Sequence, residues 1–445
     1  PQNVAAIAAV LEKEGFDVDI YAQDINHYPN DHLRQYLDEN HFDVLGLGVI
    51  AGYYQYTKLL ELSAAINASK DRPYYVLGGH GPTPDPEYFL KKTGADAVVM
   101  GEGEVTIIEL LKAVAEKRSL KDVKGLAYLD GGKIQITPAR PQIDDLETLP
   151  WPAYHKFDIG HYRLTRLPRM AKTDLCLPVL SARGCTFKCT FCYRMDKGYR
   201  ERNLDSLIDE IRFLQLTYNV NYIMFSDELL MASVKRTENI CRVIIKSGLK
   251  FNWWCQGRIN YAKPDLLKLM AKAGCVFINY GIESMDDQVL KNMKKGLKSE
   301  WVEPAIEATA AAGISTGLNI LFGNIGDTRE TLQKGVDLIK KHGDASQLRT
   351  IRPVTPYPGT PLYDMAIEKG MLKDCRDFYE NKHTNSDLIS VNFTDLADDE
   401  YYDCLYDANN ELIEDYYAKQ KAVMLKQTRD LYHDRDATFL GFRQA

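Results

Sequence analysis

Short apolar segments alternate with amphipathic segments along this 445-residue chain, and this alternation constrains the fold more than any other feature. Runs such as DVLGLGVI (43–50) and YYVLGG (74–79) have the length of buried strands. The segments between such runs have the 3.6-residue periodicity of helices. Strands that alternate with helices form parallel sheets joined by right-handed crossovers. The sequence therefore predicts an α/β protein.

The first alternation, residues 1–137, predicts a small doubly wound domain of the flavodoxin or Rossmann type. Strands are predicted at residues 17–23, 43–50, 74–79 and from Ala97 onward, before a hairpin at 125–138. Three of these strands end in glycines, namely Gly46, Gly48, Gly78, Gly79, Gly101 and Gly103. Ligands of open parallel sheets bind at the carboxyl ends of the strands, where glycine allows close backbone approach. We expect a binding cleft there.

The second alternation, residues 173–362, follows a proline-rich, acidic linker at 138–172. It contains six strand–helix steps, whereas a complete (β/α) barrel has eight. We therefore expect a partial barrel with its active site at the carboxyl ends of the strands. The remaining residues, 363–445, are predicted to form a short helical C-terminal region.

Three of the nine cysteines lie within RGCTFKCTFCYR (183–194), at Cys185, Cys189 and Cys192. Three thiolates can hold zinc or an iron–sulfur cluster. Structural zinc takes four protein ligands, and no fourth Cys or His stands near in the sequence, so the set leaves one metal position open. The other six cysteines are scattered, which argues against a disulfide framework and favours a reducing cytoplasm.

The charge pattern excludes some partners. The chain has 55 basic and 62 acidic residues and contains no basic block, so we expect no nucleic-acid partner. No apolar run approaches the roughly 20 residues of a transmembrane helix, and no signal peptide is recognisable. We expect a cytoplasmic protein without a transmembrane segment.

The segment CTFKCTFC, with Cys-x3-Cys-x2-Cys spacing, resembles the motif of the radical S-adenosylmethionine (SAM) enzymes. FSDELL (225–230), GIES (281–284), FGNIGDT (322–328) and TPYPGTPLY (355–363) resemble later motifs of that family. The resemblance implies a catalytic [4Fe-4S] cluster on the three cysteines, with SAM on its open iron. The SAM contacts that it implies are Phe191, Asp227, Glu228, Arg258, Glu283, Ser284, Phe322, Asn324 and Ile325.

The first domain resembles the cobalamin (B12)-binding domain that precedes this core in one large branch of the family. GGHGPTPDPE (78–87) and GEGE (101–104) carry the resemblance. The implied contacts are Gly48, Val49, Ala51, Gly52, Tyr53, Tyr54, Gly78, Gly79, His80, Gly81, Pro82, Gly101, Glu102 and Gly103. No Asp-x-His-x-x-Gly motif is present, so base-off cobalamin without a histidine ligand is expected. We also expect the first strand usual in this branch to be absent from the sequence.

The resemblance implies a cobalamin-dependent radical SAM methyltransferase. Such an enzyme transfers a methyl group from SAM by way of methylcobalamin to an unactivated carbon, using a 5'-deoxyadenosyl radical. One alternative is a cyclase or ring-rearranging enzyme of the oxygen-independent magnesium-protoporphyrin ester cyclase type. Another is a non-catalytic module that binds zinc and senses cobalamin. The expected partners are a small-molecule, tetrapyrrole, lipid-like or peptide substrate and an electron donor of the flavodoxin or ferredoxin type.

Overall fold

The computed structural model describes residues 2–29, 31–194, 198–436 and 438. Pro1 and the end of the predicted C-terminal region, residues 437 and 439–445, lie outside the described residues. None of the described helices combines the length and apolarity that crossing a membrane requires.

The first alternation forms a five-stranded sheet with the order β1-β2-β3-β4-β5. Its strands are β1 (Val44–Gly48), β2 (Tyr74–Gly78), β3 (Ala97–Val99), β4 (Leu126–Asp130) and β5 (Lys133–Ile136). The first three strands are parallel, and the hairpin of β4 and β5 adds to them antiparallel. The helices are α1 (Gln2–Lys13), α2 (Gln23–Asn26), α3 (His32–Glu39), α4 (Tyr53–Asn67), α5 (Pro86–Thr93) and α6 (Gly103–Ala115). The glycine-ended strands thus finish along one edge of the sheet, as predicted.

The strand predicted at residues 17–23 is wrong. Residues 17–22 belong to no described strand, and α2 begins at Gln23. Val18 and Ile20 instead pack against Ala8, Ala9 and Ala153. Alternating apolar side chains indicate one buried face, but a strand also needs a hydrogen-bonded neighbour, which local periodicity cannot reveal.

The linker predicted at 138–172 runs between the two sheets and contains short 3-10 helices. Their bounds are Leu146–Thr148, Tyr154–Lys156 and Ile159–Leu164. Tyr154 anchors this segment, because its ring is buried and its hydroxyl donates to the carbonyl of Pro178.

The second alternation forms a parallel six-stranded sheet with the order β13-β12-β11-β10-β9-β6. Its strands are β6 (Cys176–Val179), β9 (Tyr222–Phe225), β10 (Asn252–Gly257), β11 (Cys275–Glu283), β12 (Ser315–Phe322) and β13 (Arg352–Pro353). The helices around it are α7 (Leu204–Tyr218), α8 (Val234–Ser247), α9 (Pro264–Lys272), α10 (Asp287–Asn292), α11 (Val302–Ala311) and α12 (Arg329–His342). A separate two-stranded ribbon pairs β7 (Ala182–Arg183) with β8 (Arg200–Glu201). The sheet is the predicted half-barrel, with β6 and β13 as its open edges.

The strands of the half-barrel have one face on the helices and one on the inside of the barrel. Along β11, Ile278, Tyr280 and Ile282 belong to the core between sheet and helices. Because successive side chains of a strand point to opposite faces, Asn279 and Gly281 lie on the inner face. The apolar core therefore leaves the inner face available for polar residues.

The C-terminal region is helical on both sides of an irregular segment at 383–397. It contains α13 (Pro361–Glu368), α14 (Cys375–Asp377), a π-helical turn (Phe378–Lys382) and the 35-residue α15 (Asp398–Tyr432). Tyr401 on α15 is buried, with its ring 4.7 Å from that of Phe322. Its hydroxyl donates to the Phe322 carbonyl at 2.8 Å. The long helix thus packs against the end of β12.

The substitution Tyr401→Phe removes this buried hydrogen bond without creating a large cavity. We expect it to lower the free energy of unfolding by about 1 kcal/mol, the usual net worth of such a bond. The midpoint of urea unfolding, followed by circular dichroism, measures the change. Tyr406→Phe is the control, because the Tyr406 side chain is 70% exposed. Equal midpoints for the two variants would contradict the role of Tyr401.

Candidate active site at the barrel mouth

The segment that carries the three cysteines is held at both ends and in its middle. Arg183 before it and Arg200 after it are opposite each other in the β7–β8 ribbon. Between them, the Thr190 amide donates to the Met293 carbonyl at 3.0 Å, and the Leu362 amide donates to the Thr190 carbonyl at 2.9 Å. These contacts fix the segment over the carboxyl ends of the barrel strands.

The thiols of this segment have different ionisation tendencies. A hydrogen bond with Cys192, and the nearby cations of Lys295 and Arg258, lower the pKa of Cys189 to about 6 although burial opposes ionisation. The same hydrogen bond raises the pKa of Cys192, and burial raises that of Cys185. The hydrogen bond and the cations beside it therefore favour a thiolate at Cys189, the form that binds a metal.

The donor set of this segment fits a soft metal centre. Cys185, Cys189 and Cys192 are free thiols, and the nearby cations of Lys295 and Arg258 favour a thiolate at Cys189. Soft thiolate ligands hold zinc or an iron–sulfur cluster.

Arg258 and Ser284 lie at the mouth and already have protein partners. The Arg258 guanidinium lies 3.4 Å from the centroid of the Phe187 ring and donates to the carbonyl of Lys295. The Ser284 hydroxyl accepts a hydrogen bond from the Asp286 amide at 3.1 Å. Arg258 thereby connects the end of β10 to the cysteine segment.

Glu283 forms a buried ion pair with Lys295, a residue that the sequence analysis did not single out. Their side chains are 2.9 Å apart and both are less than a tenth exposed. A Cβ atom at Gly281 would lie 2.5 Å from the Glu283 carboxylate, so glycine makes room for the pair. The Lys295 ammonium also lies 5.7 Å from the Phe191 ring centroid. Phe191, Glu283 and Lys295 thus gather beside the cysteines, with Glu283 at a φ of +71°.

The two acids after β9 have different surroundings. Asp227 is fully buried, and its carboxylate accepts hydrogen bonds from the Ser181 amide at 2.6 Å, the Ala182 amide at 3.2 Å and the Ser181 hydroxyl. Burial raises the pKa of Asp227 to about 6, although these hydrogen bonds favour the charged form. Glu228 is exposed and helps to raise the pKa of Cys185. Asp227 therefore fixes the turn before the cysteine segment, and Glu228 faces the segment itself.

The loop after β12 contains an unpartnered polar atom. The Phe322 carbonyl accepts hydrogen bonds from the Tyr401 hydroxyl and from the backbone amide of Val354, which follows β13. The Ile325 carbonyl accepts a hydrogen bond from the side chain of Asn292. The backbone amide of Asn324 donates to Asp327 at 2.8 Å, but the buried side-chain Oδ1 of Asn324 has no partner among the described residues. A buried acceptor without a partner costs free energy, so this atom suits a ligand that donates a hydrogen bond.

The glycine-ended strands of the first sheet border open space, as a large cofactor requires. A Cβ atom added at Gly48 or Gly101 would meet no atom within 4 Å. By contrast, a Cβ atom at Gly79 would lie 2.5 Å from the Val49 carbonyl, and φ at Gly79 is +102°. The Gly81 amide donates to that same carbonyl at 3.1 Å, which joins the loops after β1 and β2. We call the carboxyl ends of β1, β2 and β3, together with the loops that follow them, the cradle. These contacts fix the cradle, which is open beside Gly48 and Gly101.

The other residues predicted to contact cobalamin lie in these loops or at their ends. Ala51, Gly52, Tyr53 and Tyr54 form the turn into α4, where Tyr54 is 65% exposed. Gly78 ends β2, Pro82 is buried in the loop after it, and Gly103 begins α6. The His80 ring lies edge-on to that of Tyr193, with 5.3 Å between centroids. Because Tyr193 follows the last cysteine, this contact brings the cradle against the barrel mouth.

Glu102 contacts the barrel unit through its carboxylate. Its carboxylate accepts hydrogen bonds from Arg183 at 2.6 Å and Arg200 at 3.0 Å, and its side chain is 6% exposed. From the sequence, Glu102 is predicted to contact cobalamin because it lies in the GEGE motif with Gly101 and Gly103. Arg183 and Arg200 lie 81 and 98 positions later in the sequence, and no local signal marks them as partners of Glu102.

A polar layer inside the half-barrel was also missed. The side-chain Nδ2 of Asn279 donates to Oε1 of Gln256 at 3.0 Å, and Nη1 of Arg349 donates to Oδ1 of Asn319 at 2.8 Å. A Cβ atom at Gly317 would clash with both Arg349 and Asn279, so this glycine makes room for the guanidinium. Burial lowers the pKa of Arg349 to about 10. The available signal was a polar residue at an inward position of three buried strands.

Two family models match this arrangement of units. Residues 179–339 match the radical SAM superfamily, and residues 1–111 match the B12 binding domain. The chain belongs to the radical SAM enzymes that carry a B12-binding domain.

Relatives and solved structures agree with this assignment. The chain is 29% identical over 335 residues to an uncharacterized methyltransferase of Pyrococcus horikoshii, covering 74% of the chain and 70% of that protein. It is 27% identical over 387 residues to the anaerobic magnesium-protoporphyrin IX monomethyl ester cyclase of Rubrivivax gelatinosus, covering 83% of the chain and 66% of the cyclase. The methyltransferase TsrM of Kitasatospora setae, solved with cobalamin and a [4Fe-4S] cluster, has the same fold. Its TM-score is 0.68 at 21% identity, over 83% of this chain and 75% of TsrM.

The buried Asp227 predicts a specific pH dependence of stability. Because its pKa is raised to about 6 in the folded state, the folded protein binds its proton more tightly than the unfolded chain does. Stability should therefore fall as pH rises from about 4 through 6, by roughly 3 kcal/mol at most for this group. Asp227→Asn keeps an oxygen acceptor and removes the titration.

Urea unfolding of the iron-free chain at pH 5.0 and 7.5 tests this. Relative to the wild type, Asp227→Asn should gain stability as the pH rises, and contributions of other acids cancel in the comparison. A difference between the two proteins that does not change with pH would contradict the assignment.

Proposed function

We propose that this chain is a cobalamin-dependent radical SAM methyltransferase that acts on an unactivated carbon. The observation that carries the proposal is the position of the cysteine segment. The segment has a lowered pKa at Cys189 and lies at the barrel mouth, and the ring of its Tyr193 contacts that of His80 in the loops of the first sheet. Two cofactor sites at one mouth suit a reaction that uses both.

We assign the cofactor sites to two units, with boundaries at 1–137 for the B12-binding unit and 173–362 for the radical SAM core. Residues 138–172 are the linker and 363–445 the C-terminal region. Cys185, Cys189 and Cys192 would hold a [4Fe-4S] cluster, and the cradle would hold base-off cobalamin. When bound, the cluster supplies the electron that cleaves SAM, and cobalamin supplies the carrier for the methyl group.

The residues at the mouth suit the polar groups of SAM. Glu228 faces the cysteine segment and can accept hydrogen bonds from the SAM ammonium. The Glu283–Lys295 pair offers a carboxylate for ribose hydroxyls and an ammonium for the SAM carboxylate. The unpartnered Oδ1 of Asn324 can accept from the adenine amino group. The Arg258 guanidinium is stacked on Phe187 and would hold the cysteine segment in place.

The expected absence of a histidine ligand to cobalt remains part of the proposal. His80 is the histidine in the loops of the cradle, and its ring packs edge-on against Tyr193. We therefore propose that the His80 side chain separates the cradle from the barrel mouth and does not bind cobalt. If cobalamin binds here without a histidine ligand, it would supply a nucleophile that can accept the methyl group of SAM.

The aromatic rings at the mouth restrict access of water. Phe191 packs against the apolar cores of both units, and Phe187 lies under Arg258. A primary carbon radical attacks whatever it touches, so a site that excludes water and spare side chains protects the reaction.

The substrate would lie on the inner face of the half-barrel. Gln256, Asn279, Asn319 and Arg349 provide amide groups and one cation there. These groups suit a small molecule or a tetrapyrrole with polar or anionic substituents. An electron donor of the flavodoxin or ferredoxin type would reduce the cluster.

A second candidate function is ring formation without methyl transfer. The observation that favours it is the similarity to the magnesium-protoporphyrin ester cyclase, which extends over 83% of this chain. The products distinguish the two functions. Methyl transfer yields S-adenosylhomocysteine together with 5'-deoxyadenosine, whereas cyclisation need not yield the former.

Product analysis tests the proposal directly. Anaerobic incubation of the reconstituted chain with reductant, cobalamin and SAM should yield both 5'-deoxyadenosine and S-adenosylhomocysteine by mass spectrometry. 5'-Deoxyadenosine alone would favour the cyclase, and neither product would contradict both functions.

Substitution of a cluster ligand gives a separate test. Cys185→Ala should lose the cluster, so that the wild type binds about four irons per chain and the variant only a small fraction of that. Iron analysis and visible absorption after anaerobic reconstitution measure the loss. Cys404→Ala is the control, since Cys404 is also a buried cysteine but lies on α15, outside the cysteine segment. Equal iron content in the two variants would exclude a cluster on this segment.

A further inference from the structure

One carboxylate of the first unit contacts both ends of the cysteine segment. Glu102 accepts hydrogen bonds from Arg183 at 2.6 Å and from Arg200 at 3.0 Å. These arginines are opposite each other in the β7–β8 ribbon, at the two ends of the segment. The Ile143 amide, from the linker, donates to the same carboxylate at 2.7 Å.

Glu104 completes the contact. The two terminal nitrogens of Arg183 bind different carboxylates, Nη1 that of Glu102 and Nη2 that of Glu104 at 2.5 Å. Both carboxylates have side chains less than a tenth exposed. Burial opposes the charge on Arg183, but the two carboxylates outweigh it and raise the pKa of the guanidinium. We call Glu102, Glu104, Arg183 and Arg200 the interdomain ion cluster.

The interdomain ion cluster connects the two proposed cofactor sites, because its residues are close in sequence to both. Glu102 stands between Gly101 and Gly103, at the end of the open cradle, and Arg183 lies two positions before Cys185. Removing one partner from a buried ion pair leaves an uncompensated charge, which is strongly destabilising. The loop at 101–104 and the ends of the cysteine segment therefore cannot move independently.

We propose that Glu102 is a positioning residue that couples the B12 cradle to the cysteine segment. When cobalamin orders residues 101–104, the interdomain ion cluster holds the ends of the cysteine segment in the arrangement that an iron–sulfur cluster needs. Conversely, when an iron–sulfur cluster orders the cysteine segment, the interdomain ion cluster holds residues 101–104 in the arrangement that cobalamin needs. A first ligand that orders both elements lowers the ordering cost for the second. The proposal rests on the proposed function only in that both cofactors bind, and it involves no transfer of atoms or electrons.

Coupling of this kind is reciprocal and measurable as a ratio of affinities. We would titrate hydroxocobalamin into the full chain, once with its iron–sulfur cluster reconstituted and once iron-free, and follow the cobalamin absorbance. For the wild type we expect the dissociation constant to be about tenfold lower with the cluster present, within the usual range for coupled sites. For Glu102→Gln we expect the two constants to agree within about twofold.

The control is Glu380→Gln. Glu380 forms an ion pair at 2.7 Å with Lys92, which also joins the first unit to the C-terminal region but touches neither cofactor loop. This variant should keep the wild-type ratio. Glu104→Gln, which removes one arm of the contact with Arg183, should give an intermediate ratio and serves if Glu102→Gln does not fold.

The outcomes separate the coupling from the proposed function. A wild-type ratio near one, or an unchanged ratio in both Glu102→Gln and Glu104→Gln, would overturn the coupling while leaving two bound cofactors in place. Loss of the ratio in Glu380→Gln as well would assign the effect to general domain contact and overturn the role of Glu102. Failure of the wild type to bind either cofactor would contradict the proposed function itself.

Discussion

Two buried carboxylates at the start of α6 and two arginines of the β7–β8 ribbon hold the two units of this protein together. Glu102 and Glu104 follow β3, and Arg183 and Arg200 enclose the cysteine segment. Because charges this deeply buried must stay paired, the carboxyl end of β3 lies next to the cysteine segment at the barrel mouth. The cradle, the cysteines and the barrel mouth are adjacent as a consequence of that pairing.

Much of the architecture could be predicted from the sequence, because buried parallel strands are continuous apolar runs and their helices have clear periodicity. The half-barrel and the glycine-ended strands follow from this pattern. The segment at 17–23 shows the limit, since its alternation is genuine but Val18 and Ile20 pack on alanines of α1 and the linker and have no neighbouring strand. Pairing depends on distant residues, which no local window contains.

The candidate site could likewise be predicted from the sequence only in part. The cysteines could be found because their spacing is local, and their position after β6 follows from the fold. The roles of the charged residues could not, because each depends on a partner far along the chain. Asp227 is occupied by the turn at Ser181, while Glu228 faces the cysteines. Lys295 pairs with Glu283, 12 positions earlier, in the space that Gly281 leaves.

We propose that an iron–sulfur cluster and cobalamin share one mouth. Electron paramagnetic resonance of the full chain loaded with both, reduced so that cluster and cobalt each carry an unpaired spin, tests it most directly. Adjacent sites predict that each spin broadens or splits the signal of the other and speeds its relaxation. A spectrum equal to the sum of those of the chain loaded with either cofactor alone would contradict the account.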